Sequence, residues 1–368
     1  MTIAVVGAAA GGALDAVVAA CGEVDRTERW SPLAAPGWLA RAPGAIGRYA
    51  ERRRGPHDVD APALLAVEAG LRAWAGGRTD RRYRIDFALR AAIDVWAARE
   101  VRRRRPRIVV ASSLAARRTF AAARELGAAT VLILDVPVLR ALHRDLDRAA
   151  GAWPERGFLR RFRAPSWAIA RQDAERVMAD LVIVRGAYAH ALCVADGIAT
   201  SRLAQLPVRL RAVVPPAAPT GRLRLAGLAA ARHGIDTALA AARQLGMTLV
   251  VRIGEGTEPA DLAQQPGVLV ERAGADRAAD SGRTGGANGA GAPPGVDAIV
   301  CPAICESYPD ELGMIGVPVI ASPMVSRDGG GPDPYDARAF AAAIRGAPVA
   351  EPEPPLGPPL ATLIAALR

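Results

Sequence analysis

The stretch from Cys301 to Ser322, CPAICESYPDELGMIGVPVIAS, constrains the fold more than any other part of the chain. Val296 to Cys301 and Gly316 to Ala321 are unbroken apolar, β-branched runs with Gly or Pro at their edges, which predicts two short strands buried on both faces. Strands of that kind belong to a parallel sheet with helices on either side. A short crossover between parallel neighbours lies at the carboxyl edge of the sheet, where open α/β sheets bind ligands. Two carboxylates, Glu306 and Glu311, fall inside that crossover. A ligand with hydroxyls to recognise is the natural guest.

The same alternation runs through the rest of the chain. Thr2 to Val6, Arg107 to Ser113, Thr130 to Val136, the run after Asp180, Arg222 to Ala226, Met247 to Ile253 and Gly267 to Glu271 read as strands. Between them lie helical periods: Ala13 to about Ala20, the Ile85, Leu89, Ile93, Trp96 stripe, and Ile235, Ala238, Leu239, Ala242. This predicts an α/β protein of doubly wound parallel sheets. At 368 residues the chain is long enough for two cores. The stiff Pro216-Ala217-Ala218-Pro219 stretch marks the boundary, giving domains over 1–215 and 216–350, then a Pro-rich connector and terminal helix over 351–368. Residues 276–295, dominated by Gly, Ala, Asp and Pro, read as a flexible insertion.

Composition narrows the class. The net charge of +10 is carried entirely by arginine, since the chain has no lysine, which is what a GC-rich coding bias produces. No nucleic-acid partner is therefore read from it. A basic surface does suit an enzyme that handles sugar nucleotides or works near anionic lipid. Four scattered cysteines do not make a disulfide framework. The apolar start lacks a basic leader and contains Gly11, Gly12 and Asp15, so it reads as a strand and helix rather than a signal peptide. The expectation is a cytoplasmic protein, with a peripheral contact at the inner membrane face through the basic, aromatic stretch from Trp153 to Trp167 as a sharper alternative to core aromatics under an arginine-rich exterior.

Pro302, the Glu306-Ser307-Tyr308-Pro309 motif, Glu311 and the run Gly316-Val317-Pro318-Val319-Ile320-Ala321-Ser322 resemble the donor-sugar segment of retaining GT-B glycosyltransferases of the group 1 (family 4) type. The likeness extends to Gly11-Gly12, to Asp173-Ala174-Glu175 with Ala179-Asp180, and to Gly227 through Gly234. It implies a GT-B fold, two Rossmann-like doubly wound domains facing across a cleft. It also implies a nucleotide-sugar as co-substrate, no bound cofactor or metal, and a hydroxyl acceptor on a saccharide or lipid-linked saccharide. By resemblance, Glu306 with Ser307 and Tyr308 holds the transferred sugar, and Glu311 holds that sugar or the nucleoside ribose. Gly11 and Gly12 lie by the diphosphate and the acceptor.

The residues themselves add candidates. A departing diphosphate needs fixed cationic donors and a helix N-terminus, which Arg232 and His233 before the Ile235 helix can supply. Gly254 ends a strand in a turn suited to a base or ribose edge. Asp135 closes its strand at the cleft side, and His143 follows with Arg140 and Arg144 beside it, which makes both catalytic candidates. A rival reading is a non-catalytic glycosyltransferase-like binding partner, because Leu228 and His233 stand where such enzymes carry Arg and Lys and because Glu306 and Glu311 are closer together than usual. An epimerase on the same fold ranks third, with only four histidines in the chain.

Overall fold

The computed structural model describes residues 2–7, 12–33, 61–76, 79–153, 159, 162–206, 211–212, 218–228, 231–253, 262–272, 295–304, 314–315, 317–326, 330–347 and 359–367. The first sheet takes β1 (Thr2–Val6), β2 (Arg26–Trp30), β3 (Ile108–Ser112), β4 (Ala129–Ile133), β5 (Leu181–Val184) and β6 (Leu203–Gln205). All pair in parallel in the order β2-β1-β3-β4-β5-β6. The connecting helices are α1 (Gly12–Val24), α2 (Pro62–Ala75), α3 (Thr79–Arg104), α4 (Arg117–Glu125), α5 (Leu139–Ala152), α6 (Ser166–Met178) and α7 (Ala187–Ala195).

Every central strand is apolar on both faces, as a sheet sandwiched between helix layers requires. Ile3, Val5, Val110, Val131 and Ile133 point to the layer that holds Leu14 and Val17 of α1. Ala4, Val6, Val109, Ala111 and Leu132 point the other way, against Ile93 and Ala97 of α3 and Phe120 of α4. The edge strands β2 and β6 were not anticipated from sequence. Arg26-Thr27-Glu28-Arg29 carries no apolar period, and the strand is held instead by parallel pairing to β1, the Arg29–Asp15 ion pair at 2.9 Å and the buried Trp30.

After a short strand β7 (Arg211–Ala212) comes the second sheet, built from β8 (Arg222–Leu228), β9 (Thr248–Ile253), β10 (Val268–Arg272), β11 (Ala298–Cys301) and β13 (Val319–Ala321) in the order β10-β9-β8-β11-β13. β12 (Met314–Ile315) pairs with β7 instead. Helices α8 (Ile235–Leu245) and α9 (Ala337–Gly346) cover one face, where Leu223, Leu225, Val251 and Val300 meet Ala238, Ala242 and Phe340. The expected helix start at Asp333-Pro334 lies three residues later. Asp336 is the N-cap, accepting hydrogen bonds from the N–H groups of Arg338 and Ala339, the usual service of Asp at that position. The terminal helix α10 (Leu360–Ala365) returns to the first sheet, burying Leu360 and Ile364 beside Ile3 and Leu14.

One device in the first sheet shapes its carboxyl edge. Ala115 and Ala116 precede α4 and offer no capping side chain. Two buried carboxylates from other helices take that role. Asp94 accepts from the N–H groups of Arg118 and Thr119, both at 2.8 Å. Glu175 accepts from Leu114 at 2.6 Å and from Ala116 and Arg117 at 3.0 Å. Arg171 joins the two carboxylates. Burial pushes Glu175 from 4.5 up to about 7, against the pull of the Ala116 and Leu114 N–H groups and of Arg171.

Replacing Glu175 by Ala strands these donors and leaves Arg171 a poorer partner set, so unfolding by urea is expected to show a loss of about 3–5 kcal/mol. Because the folded pKa lies above the unfolded value, the folded chain binds the proton more tightly in between. Stability therefore rises as pH falls from about 7 towards 4.5. Asp145, raised by burial to about 6, adds the same sign only below that value. Urea midpoints measured between pH 7 and 6 should lose most of their slope in Glu175→Gln.

Candidate functional site

The carboxyl ends of β8, β11 and β13 converge on Pro302, Ala303 and Ile304. The Ile304 N–H donates to the Arg232 carbonyl at 3.1 Å, and Ser322 Oγ donates to the Ala303 carbonyl at 2.7 Å. Gly234 closes the turn before α8 at φ 74°, and a Cβ there would stand 1.8 Å from the Pro302 carbonyl oxygen. Only glycine allows that approach together with that backbone. Gly331 does the same for the next loop, at φ 117° with a Cβ position 2.0 Å from the Ala321 oxygen. Thr237 Oγ1 donates to the Pro334 carbonyl at 2.6 Å, tying the Asp333 to Tyr335 turn to α8.

In this turn Arg232 is exposed while His233 is buried, 5 % accessible. The two residues expected to share a diphosphate thus face different environments, and Arg232 is the one presented to solvent. Gly12 opens α1 at the end of the first strand, where backbone N–H groups sit at the positive end of a 13-residue helix. Glu306, Ser307, Tyr308, Glu311, Gly11 and Gly254 lie outside the described residues.

The two halves touch where Ile304 emerges. Its side chain is fully buried among Phe87, Leu114, Leu139, Leu142 and Leu146 of the first half. Tyr335 packs at 4.9 Å on Trp153, and Arg148 lies 4.9 Å over the Tyr335 ring while pairing with Asp333 at 2.6 Å. Arg148 and Asp333 are about half exposed, so their pair is worth about 0–1 kcal/mol, against about 1.5–3 kcal/mol for burying Ile304. The apolar contact therefore dominates the seam. Tyr188 crosses the same seam: its ring packs with Met324 and Val325, while its hydroxyl donates to Asp145, with oxygen distances of 3.0 and 3.1 Å.

On the first-half side, a cavity of about 280 Å³ opens at the carboxyl end of β4. Leu33, Tyr83, Phe87, Val136 and Leu139 form its apolar wall, and Glu68, Arg72, Asp86 and Arg90 its polar one. Arg72 Nε reaches Glu68 at 2.7 Å and its Nη2 reaches Asp86 at 2.7 Å. Arg90 holds Asp135 through both nitrogens, at 3.0 and 2.9 Å, and donates to the Ser113 carbonyl at 2.9 Å. Burial works against the Arg90 charge, but the Asp135 carboxylate more than offsets this and raises its pKa. Asp135 is thus at the cleft edge, fixed on a guanidinium fork. Sequence reasoning missed Glu68, Arg72, Asp86 and Arg90, which sit on helices rather than strand ends.

His143 does not line this cavity. It is half-buried beside Arg163 and Asp147, with Nε2 lacking a hydrogen-bond partner. Burial and then Arg163 lower its pKa, despite a hydrogen bond to the Ala164 backbone, so the ring is neutral at pH 7. A larger cavity of about 480 Å³, lined by Arg107, Arg124, Asp180 and Leu367, lies at the amino ends of β3 and β4, the edge opposite the converging loops. Its position, away from every strand end that carries candidate chemistry, sets it aside. Among the described residues, no group of three or more His, Cys, Asp or Glu side chains is placed to hold a metal ion, and no helix is long and apolar enough to cross a membrane.

Gly234→Ala should destabilise the chain by about 2–5 kcal/mol, combining the left-handed backbone with the clash on Pro302. Gly197→Ala, at φ 85° but with open space around it, should cost only about 1–2 kcal/mol. Urea unfolding of both variants checks the contrast; equal losses would mean that the Gly234 approach to Pro302 is unimportant.

No protein-family model matches the chain, and no curated protein matches it by sequence. Solved structures do match its shape. Sucrose-phosphate synthase from Thermosynechococcus elongatus superposes with a TM-score of 0.54 at 13 % identity, covering 94 % of this chain and 88 % of that one. The lipopolysaccharide outer core galactosyltransferase WaaB in its apo form gives 0.50 at 14 % identity, covering 94 % and 90 %. Anabaena HepE in complex with UDP and glucose gives 0.50 at 12 % identity, covering 94 % and 89 %. At these identities the likeness speaks for the fold, and the fold is GT-B, with two parallel sheets each flanked by helices.

Proposed function

We propose that the chain is a retaining glycosyltransferase that moves a sugar from a nucleotide-sugar donor to a hydroxyl of a saccharide or lipid-linked saccharide. The observation that carries this reading is the seam at Ile304. There, in a GT-B fold, the carboxyl edges of both sheets meet at the residue that leads directly into the Glu306 segment. Structures of similar shape include one with bound UDP and glucose, which supports a nucleotide-sugar as donor here.

In the proposed reaction the bond from the donor anomeric carbon to the diphosphate oxygen breaks, and a bond to the acceptor oxygen forms on the same face. The acceptor proton ends on the departing diphosphate. Glu306 stabilises positive charge on the sugar, Glu311 holds the sugar or ribose, and Ser307, Tyr308 and Gly254 complete the donor contacts. Arg232 and the α1 N–H groups following Gly11 and Gly12 offset the diphosphate charge. No metal or bound cofactor is invoked.

The burial of His233 and the presence of Leu228 favour a second reading, a non-catalytic relative that keeps the fold. Calorimetry with nucleoside diphosphates and nucleotide sugars separates the two. Under the enzyme reading one nucleotide sugar binds at micromolar affinity, Arg232→Ala weakens diphosphate binding about tenfold, and Glu306→Ala weakens only the sugar-bearing form. A folded protein that binds none of them up to millimolar concentration would sink the enzyme reading.

A further inference from the structure

The first-half cavity is built from charges that already satisfy one another, and this decides what it can hold. Three carboxylates, Glu68, Asp86 and Asp135, surround two guanidiniums, Arg72 and Arg90, leaving one net negative charge among the described residues. Neither guanidinium is spare. Arg72 bridges Glu68 and Asp86, and Arg90 spends both terminal nitrogens on Asp135 and one of them also on the Ser113 carbonyl. A phosphate or carboxylate entering here meets carboxylates first and gains a cation only by breaking one of these pairs. Leaving a buried carboxylate such as Glu68, fully enclosed, without its partner carries a heavy penalty.

A hydroxyl faces no such conflict. Carboxylates fixed on planar guanidinium forks are acceptors at defined positions, and a hydroxyl donates to them without disturbing the fork. The opposite wall is apolar: Tyr83 and Phe87 stand edge to face with centroids 4.8 Å apart, next to Leu139 and Val136. An apolar wall facing a row of fixed acceptors matches a sugar ring, which has C–H faces and a hydroxyl rim. The volume, about 280 Å³, lies just below the ~300 Å³ lower end of ordinary small-molecule sites, which suits one ring and not a coenzyme. Phe87 and Leu139 also belong to the cluster that buries Ile304, so the cavity adjoins the start of the Glu306 segment.

We infer that this cavity is the acceptor subsite, that it takes a single uncharged, multiply hydroxylated sugar ring, and that it rejects phosphorylated and carboxylated rings. The inference rests on the glycosyltransferase reading and narrows its acceptor.

The test is ligand-observed NMR titration of the full chain with methyl glucoside, galactoside, mannoside and N-acetylglucosaminide in both anomers, beside the matching sugar 6-phosphates and uronates. UDP and the other nucleoside diphosphates are titrated in parallel to report on the donor site. At least one neutral glycoside should bind at millimolar affinity, with its charged counterparts at least about tenfold weaker. Asp86→Asn, at a half-exposed position that leaves the core intact, should weaken that glycoside about tenfold, the worth of one charge-assisted hydrogen bond. Tyr83→Ala should weaken it similarly, and neither variant should alter nucleotide affinity.

Tighter binding of a phosphorylated or carboxylated sugar, glycoside binding unchanged in both variants, or no glycoside binding at all would overturn the inference. If nucleotides bind while glycosides do not, the cavity assignment fails and the transferase reading survives. If glycosides bind as expected while no nucleotide does, the ring preference stands and the transferase reading fails.

Discussion

The second half depends on the close approach of two backbones, the Gly234 turn against the Pro302 carbonyl. With Gly234 in the left-handed region, the 231–233 turn lies against the end of β11, and the Arg232 carbonyl receives the Ile304 N–H. That fixes where Ile304 leaves the sheet, and so which surface of the first half it enters. The donor segment begins at this junction, so its placement follows from a glycine with no chemistry of its own. A bulkier residue at this position would have to push β11 away from α8 and shift the whole carboxyl edge.

The exclusive use of arginine has consequences beyond net charge. A guanidinium is planar and presents several donors at once, so one side chain can hold two carboxylates or grip one at two points. Arg72 does the first and Arg90 the second, and Arg171 links Asp94 and Glu175 under the start of α4. An ammonium, a single point charge, would leave such carboxylates free to swing. The first half thus keeps its carboxylates in two fixed arrays. One array is sealed and caps a helix; the other lines a cavity. The difference lies in access: Asp94 and Glu175 have no exposed side-chain surface, whereas Asp86 is about half exposed and Asp135 about a quarter.

Much of this architecture was legible in the residues. The buried parallel strands announce themselves as continuous Val, Ile and Ala runs, and β1, β3, β4, β5, β9 and β11 fall within a few residues of where those runs lie. The edge strands did not, because an edge strand has one neighbour and tolerates a polar sequence such as Arg26 to Arg29. Asp135 was legible as a strand-end carboxylate, but its partner Arg90 is forty-five residues away on a helix face. Neighbours made only by tertiary packing leave no spacing to read. The same holds for Glu175. It belongs to a segment singled out by resemblance, yet its role as a cap for α4 appears only when α6 is laid against that helix.

The seam between the halves shows why these energies matter for a two-sided site. Its exposed ion pair contributes little, and the contact rests on Ile304 and on the Trp153–Tyr335 and Tyr188 ring packing. These are non-directional contacts, so the seam holds the two edges together without fixing any polar group in the cleft. The polar groups are fixed from within each half, by Arg90 and Arg72 on one side and by the Gly234 turn and Ser322 on the other. Each half therefore carries its binding groups preformed, and bringing the halves together requires no reorganisation of charge. That division suits transfer between two substrates, because each can be recognised by its own half before the reacting atoms meet.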